Sequence, residues 1–345
     1  MKFNEIKIEH SRDLGPLFIE NKVNMIGQDC AYSVPLNETE TFWGFGDTFI
    51  GKIDETGKRI VKQMPSNSGL ICRTRDASNG LTDFSYLVGK DDHIRQLISF
   101  DRDESPDHYR IWGMDGYRVD NKIYWFYFRV RLRKNACWPY KFSVDGSGLA
   151  VADLPGFNFK RIQSNGSTLF WHGKEPCFGV AVYVDEELGL VYVYGTQRHG
   201  KRQCCYLSRV PASDIEKVEC YEYLASNHPK WSTDLRDAIC LMQGMPTEMT
   251  VSFNEFLGTY LAVHSWLNDG CIVGRTAANP WGPWSDPFLL WTSKTELRNP
   301  LVYNGPVVYA GKEHPELARE NGKIIYLTCV EFEEYYPRLI EVTFK

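Results

Sequence analysis

The residues Gly27-Gln28-Asp29-Cys30-Ala31-Tyr32-Ser33 and Thr41-Phe42-Trp43-Gly44-Phe45-Gly46-Asp47-Thr48 decide how the chain folds. In each stretch aromatic and β-branched residues alternate with small ones. Pro35-Leu36-Asn37-Glu38 lies between them as a turn. The pattern predicts two antiparallel strands of one hairpin. Asp29 falls at the start of the first strand and Asp47 at the end of the second, which puts both carboxylates at one end of the hairpin. Two acids held together there are what acid-catalysed bond hydrolysis needs. A single Asp could instead close a turn through its side chain.

The pattern recurs. Ile111–Val119 and Lys122–Phe128 form a second pair, with Asp115 in the first member. Phe178–Val184 with Leu190–Thr196, and Thr247–Phe253 with Thr259–Ser265, form the third and fourth. His314–Leu317 with Lys323–Cys329 reads as the fifth. Aligned on Asp29, Asp115, Gly179, Glu248 and His314, the steps are 86, 64, 69 and 66 residues. The insertion Gly51–Gln63 and the polar stretch Lys90–His108 account for the long first step. Further strands follow each pair, such as Ile272-Val273-Gly274-Arg275-Thr276. Helical periodicity is confined to Ser213–Lys217 and Pro315–Asn321.

Five repeats of about four strands predict an all-β chain, a five-bladed β-propeller of four-stranded antiparallel blades. Residues 1–345 then form one domain, with residues 1–26 completing the last blade. The first strand of each blade lines a central channel, so Asp29, Asp115, Glu248 and His314 converge on one funnel. Like charges repel there, which makes a purely structural role harder to explain and points to catalytic use.

Composition bounds the function. Among 345 residues, 39 are basic and 44 acidic, for a net charge of -5. No long basic run is present, which argues against a nucleic-acid partner. No apolar run approaches the roughly 20 residues that span a bilayer. Aromatics make up 14% of the chain, ample for core packing and for flat platforms on which sugar rings stack. The ten cysteines show no zinc spacing and several sit inside apparent strands, which favours a reducing compartment. Met1–Lys7 has no apolar signal core, so the expected location is cytoplasmic, or secreted or periplasmic if the N-terminus has been trimmed.

Three sets of residues resemble those of the domain-of-unknown-function family 4185. They are Gln28-Asp29 with Trp43-Gly44-Phe45-Gly46-Asp47-Thr48 and Ser66-Asn67-Ser68; Asp115-Gly116-Tyr117 with Tyr124-Trp125-Phe126; and Arg275-Thr276-Ala277 with Trp281-Gly282-Pro283-Trp284-Ser285. The resemblance runs from about residue 22 to the end. It implies a five-bladed propeller. Some members are endo-D-arabinanases, which cut D-arabinofuranose polymers, so it also implies a glycoside hydrolase with Asp29 and Asp47 as leading catalytic carboxylates. The repeat geometry adds Asp115 and Glu248 to the catalytic set. Trp43, Trp112 and Trp266 are candidate sugar platforms, though each also suits the core. Arg198, His199, His314 and Glu316 are candidate substrate-binding residues. The expected substrate is a furanosidic, arabinan-like carbohydrate. No cofactor or metal ligand set is expected, although an oxygen-rich funnel suits a hard cation such as calcium. Two alternatives remain open: an intracellular glycoside phosphorylase, using Arg198, His199, Lys201 and Arg202 for phosphate, and a non-catalytic carbohydrate-binding propeller.

Overall fold

The computed structural model describes residues 6–133, 141–200, 202–245, 247–266, 270–294 and 307–345. Its strands, numbered in chain order, form six sheets. β3 (Tyr32–Pro35), β4 (Thr41–Phe45), β7 (Ser68–Cys72) and β8 (Phe84–Tyr86) make the first. β9 (Tyr109–Val119), β10 (Lys122–Leu132), β11 (Phe142–Asp153) and β12 (Lys160–Arg161) make the second, with β13 (Trp171–His172) paired to β11. The third contains β14 (Cys177–Asp185), β15 (Leu190–His199), β16 (Arg202–Pro211), β17 (Glu222–Ser226) and β18 (Lys230–Ser232), with β19 (Met242–Gln243) paired to β16. The fourth is β20 (Met249–Asn254), β21 (Thr259–Ser265), β22 (Cys271–Ala277) and β23 (Phe288–Thr292). In the fifth, β24 (Val308–Glu313), β25 (Ile324–Glu331) and β26 (Pro337–Phe344) are joined by β1 (Ile8–Pro16), which pairs with β26. The sixth is a small sheet of β2 (Met25–Gln28), β5 (Thr48–Ile53) and β6 (Arg59–Gln63).

The chain is all-β. Among the described residues the helical turns are short 3-10 turns, including Ala212–Asp214, Pro315–Leu317 and Glu320–Gly322. They occupy the places where the sequence offered weak helical periodicity. The strands in the interior of the sheets are buried over long runs because neighbouring sheets cover both faces, whereas β1 and β6 are largely exposed. Each residue of β4 is buried, as is the run from Ile123 to Phe128 in β10. Continuous apolar runs suit that setting, where alternation would suit a half-exposed sheet. Trp125 of β10 and Trp171 are 1% exposed. Burying a side chain of that size contributes about 3 kcal/mol.

Two expectations need correction. The hairpin at Gly27–Thr48 is not two continuous strands. The first breaks between β2 and β3, the second between β4 and β5, so β3 pairs with β4 while β2 pairs with β5. The insertion Gly51–Gln63 is ordered as the β5–β6 hairpin of the small sheet. In the fifth repeat, the strand facing the neighbouring sheets is β24, which lies before His314. The residues from His314 to Leu317 follow it as a 3-10 turn and its cap.

β3, β9, β14, β20 and β24 neighbour one another in that order. β24 returns to β3 through side chains: the Lys312 ammonium donates to the Cys30 carbonyl, and His314 Nδ1 lies 2.6 Å from Ser33 Oγ. Three of these strands carry a register irregularity along their length: β9 near Met114–Asp115, β14 near Gly179–Val180, and β24 near Ala310–Gly311. Bulges of this kind re-aim side chains and gather beside functional sites.

Candidate active site

The breaks in the first two repeat strands are where the acids sit. Asp29 occupies the gap between β2 and β3, and Asp47 the gap between β4 and β5. The next two residues after Asp29 are bent hard: Cys30 has φ 68° and Ala31 φ 65°. Left-handed backbone in a residue with a Cβ costs on the order of 1–3 kcal/mol and concentrates at functional sites. The bend is held by the Asp29 carbonyl, which accepts from Ala31 N at 3.1 Å and Gly46 N at 3.2 Å. The second bond ties the two breaks together. Gly46 also has to be glycine, because a Cβ there would stand 2.4 Å from Asp29 Oδ1.

Asp29 Oδ2 accepts hydroxyl hydrogen bonds from Tyr309 and Tyr335, both at 3.1 Å. The Tyr335 hydroxyl also reaches the Asp47 carbonyl at 3.4 Å, and its ring stacks on Phe49 at 4.5 Å. Burial pushes the Asp29 carboxyl up to about 6, helped by the charge of Glu248 and opposed by the two phenols. Asp47 is pushed further, to about 7, by burial and then by Asp29. Arg110 opposes that rise: its Nε lies 3.4 Å from Asp47 Oδ1, with side chains 12% and 17% exposed. The Trp112 indole N–H, outside hydrogen-bond geometry, weakly favours the Asp47 anion. Both acids are therefore half-buried and coupled, and they remain open to solvent on one side. Glu248 stands immediately before β20. Burial raises its carboxyl, while Lys312 and the Ala310 backbone pull it down.

The other candidates have different surroundings, although Asp115 shares the charge of Lys312 with this cluster. Asp115 lies in the β9 irregularity, and both oxygens are committed: Oδ1 accepts from Gly116 N at 2.8 Å and Oδ2 from Val182 N at 2.7 Å. It stitches β9 to β14. The residue that β9 brings to Asp47 is Arg110, near the strand's start. His314 is fully buried, with Nε2 on Thr328 Oγ1 at 2.8 Å and its ring stacked on Trp43 at 4.3 Å. Burial and Lys312 hold it well below its ordinary value, so it is a neutral core histidine and cannot meet a substrate. Trp43 is 0% exposed in the same core and offers no face to a sugar. Trp112 is half-buried against Phe142. Trp266 is half-buried, with the Arg275 guanidinium 5.6 Å from its ring. Arg198 and His199 sit at the exposed tip of the β15–β16 hairpin and bond within it, to the Gly200 carbonyl and the Tyr206 hydroxyl. Lys201 lies outside the described residues. Glu316 is half-buried, with Oε1 unpartnered and its carboxyl raised by burial.

Sequence reasoning missed Arg110, Tyr309, Lys312 and Tyr335. Only Lys312 left a signal, as a cation inside the strand Val308-Tyr309-Ala310-Gly311-Lys312-Glu313. Among the described residues, no group of three His, Cys, Asp or Glu side chains is arranged to hold a metal ion. No described helix is long and apolar enough to cross a membrane.

Solved structures share the fold at low identity. A provisionally assigned hydrolase of Bacteroides ovatus is 19% identical, with 93% of this chain and 87% of that one covered and a TM-score of 0.68. The catalytic domain of Coprinopsis cinerea GH62 α-L-arabinofuranosidase is 12% identical over 98% of each chain, at a TM-score of 0.53. The GH43_1 enzyme of Xanthomonas citri, solved with xylotriose, is 13% identical over 97% and 89%, at 0.50. No protein of curated function matches the chain. The family is settled by the sequence itself: the model of DUF4185, a domain of unknown function, matches residues 18–341, and the chain belongs to that family.

Proposed function

We propose that this protein is a glycoside hydrolase built as a five-bladed propeller, with Asp29, Asp47 and Glu248 at the mouth of the channel. The five larger sheets are its blades, and the β2–β5–β6 sheet is an outgrowth of the first. The single observation that carries the reading is the pairing of Asp29 with Asp47. Two strand breaks bring these acids together, the Tyr335 hydroxyl spans both residues, and burial raises both carboxyls, Asp29 to about 6 and Asp47 to about 7. Separated affinities in a carboxylate pair are how one site supplies both an acid and a base.

Asp47, pushed up to about 7, carries its proton in a substantial share of the molecules at neutral pH and protonates the departing glycosidic oxygen. Asp29 is the anion, because two phenol O–H groups donate to it. It either activates water or attacks the anomeric carbon. Glu248 adds the negative charge that keeps a proton in the site. Trp112, beside Asp47 with an unsatisfied indole N–H, is the platform for the sugar. The substrate is a furanosidic, arabinan-like carbohydrate. The GH43 and GH62 neighbours, one a named arabinofuranosidase and one solved with a xylo-oligosaccharide, support a glycan substrate.

The test is reducing-sugar release from arabinan, arabinogalactan and short furanosides. Wild type should be active, and Asp29→Asn and Asp47→Asn should each be inactive. Turnover that survives both substitutions would remove the pair from the mechanism.

A further inference from the structure

The site contains a cation that the hydrolytic reading leaves without a role. Lys312 is 1% exposed near the end of β24, between Gly311 and Glu313, whose own buried carboxylate accepts from Ser252 Oγ at 2.8 Å. Its ammonium donates to the carbonyls of Cys30 and Ala310, the second at 2.8 Å, and stands 4.3 Å above the Tyr32 ring. Two carbonyls and a π face receive its three N–H groups. A neutral amine would present a lone pair with no donor facing it, so this cradle fits the charged form. The backbone is bent to build it. Ala310 has φ 55° at the β24 irregularity, and Cys30 has φ 68° at the β2–β3 break. Both bends aim a carbonyl at the same nitrogen.

Acids surround this cradle. Its charge is felt by Asp29 and the Cys30 thiol at the β2–β3 break, by Asp115 of β9 and by Glu248 at the start of β20. His314, on the extension of β24, and Cys329 of β25 also feel its charge. On the β14 side the group is neutral, the Val180 carbonyl that accepts from the Tyr32 hydroxyl at 2.9 Å. Burial pulls the Lys312 proton affinity down, and the carboxylates push it back up.

We propose that Lys312 is the fixed counter-charge of the carboxylate centre, a positioning residue that lets Asp29, Asp115 and Glu248 share one small space. Its role in catalysis rests on the hydrolase reading, but its charge can be tested without any substrate. The measurement is the melting temperature of wild type, Lys312→Met and Lys312→Met/Glu248→Gln at about pH 5.5 and about pH 8. Without the ammonium, the buried carboxylates have to take up protons to be tolerated. The single variant should therefore lose several degrees more at about pH 8 than at about pH 5.5. The double variant, which removes one charge of each sign, should recover most of the alkaline loss. A space-filling lysine predicts the same loss at both pH values and no recovery. Either result would overturn the proposal, as would a double variant that fails to fold. If Lys312→Met alone fails to fold, recovery of folding in the double variant supports it. These readouts stand whether or not sugar is released, so a failure of the hydrolase reading appears only in the sugar assay.

Discussion

Two glycines in corresponding repeats make room for very different neighbours. At Gly179, in the irregularity of β14, a Cβ would stand 2.4 Å from Phe126 Cβ, and the space is used by a core ring. At Gly46, in the break after β4, a Cβ would stand 2.4 Å from Asp29 Oδ1, and the space is used by a carboxylate. Around Gly179 the strands run on, β14 for nine residues and β15 for ten. Around Gly46 both strands stop, and Cys30 and Ala31 take up left-handed backbone. The first arrangement satisfies its groups and packs. The second leaves two coupled acids half-open. The same backbone device admits a packed ring in one repeat and a carboxylate in the other, and what separates them is whether the admitted atom has its partners already.

The sharpest way to break this comparison is to remove the acids. Asp47→Asn and Asp29→Asn should each lower kcat/KM on a furanosidic substrate by about 10³-fold, within the range for loss of a general acid or base. Asp115→Ala, by contrast, should cost about 1–3 kcal/mol of stability, because two buried N–H groups lose their acceptor. Chemical denaturation checks that, and an Asp115 variant as dead as Asp47→Asn but equally stable would erase the distinction. Next come the glycines. Gly46→Ala should reduce activity by about 10²-fold through displacement of Asp29, the scale expected for misplaced catalytic groups. Gly179→Ala should instead lower stability by about 1–3 kcal/mol through overpacking against Phe126 and leave kcat close to wild type. Steady-state kinetics beside denaturant melts separates the two outcomes.

A smaller effect belongs to Tyr335→Phe. Losing one of the two phenols on Asp29 should cost about tenfold in kcat/KM, roughly one charge-assisted hydrogen bond. It should also move the acidic limb of the pH–rate profile upward, because the phenol favours the anion. The smallest effect is in stability. Asp47 holds its proton more tightly folded, at about 7, than unfolded. Its contribution is neutral below about pH 4, turns unfavourable as pH rises toward 7 and levels off above that. Asp47→Asn should therefore melt with wild type near pH 4 and above it by a few degrees near pH 8. Melting curves that coincide at both ends would show that the carboxyl is not strained by its surroundings.

Much of this was legible in the residues themselves. Strand pairs, the acids Asp29 and Asp47, and Glu248 at the head of its strand all lie in local patterns of apolar alternation and turn residues. His314 shows the limit. The local pattern places it at the head of a strand, whereas it follows β24, and its stacking on Trp43 and its bond to Ser33, 281 residues away, depend on a distant chain segment. The irregularities were not readable either. Met114–Asp115 and Ala310–Gly311 look like ordinary strand, and only register against β10 and β25 reveals the extra residue.

The all-β character, most of the strand pairs and the presence of acids near strand ends follow from the sequence alone, since periodicity and side-chain chemistry act over a few residues. The partners of those acids were decided only by tertiary structure. Tyr309 and Tyr335 reach Asp29 from 280 and 306 residues away, and Lys312 reaches Cys30 from 282. Contacts of that span form when the last large sheet returns to the first, and no local pattern encodes which side chains that return brings together.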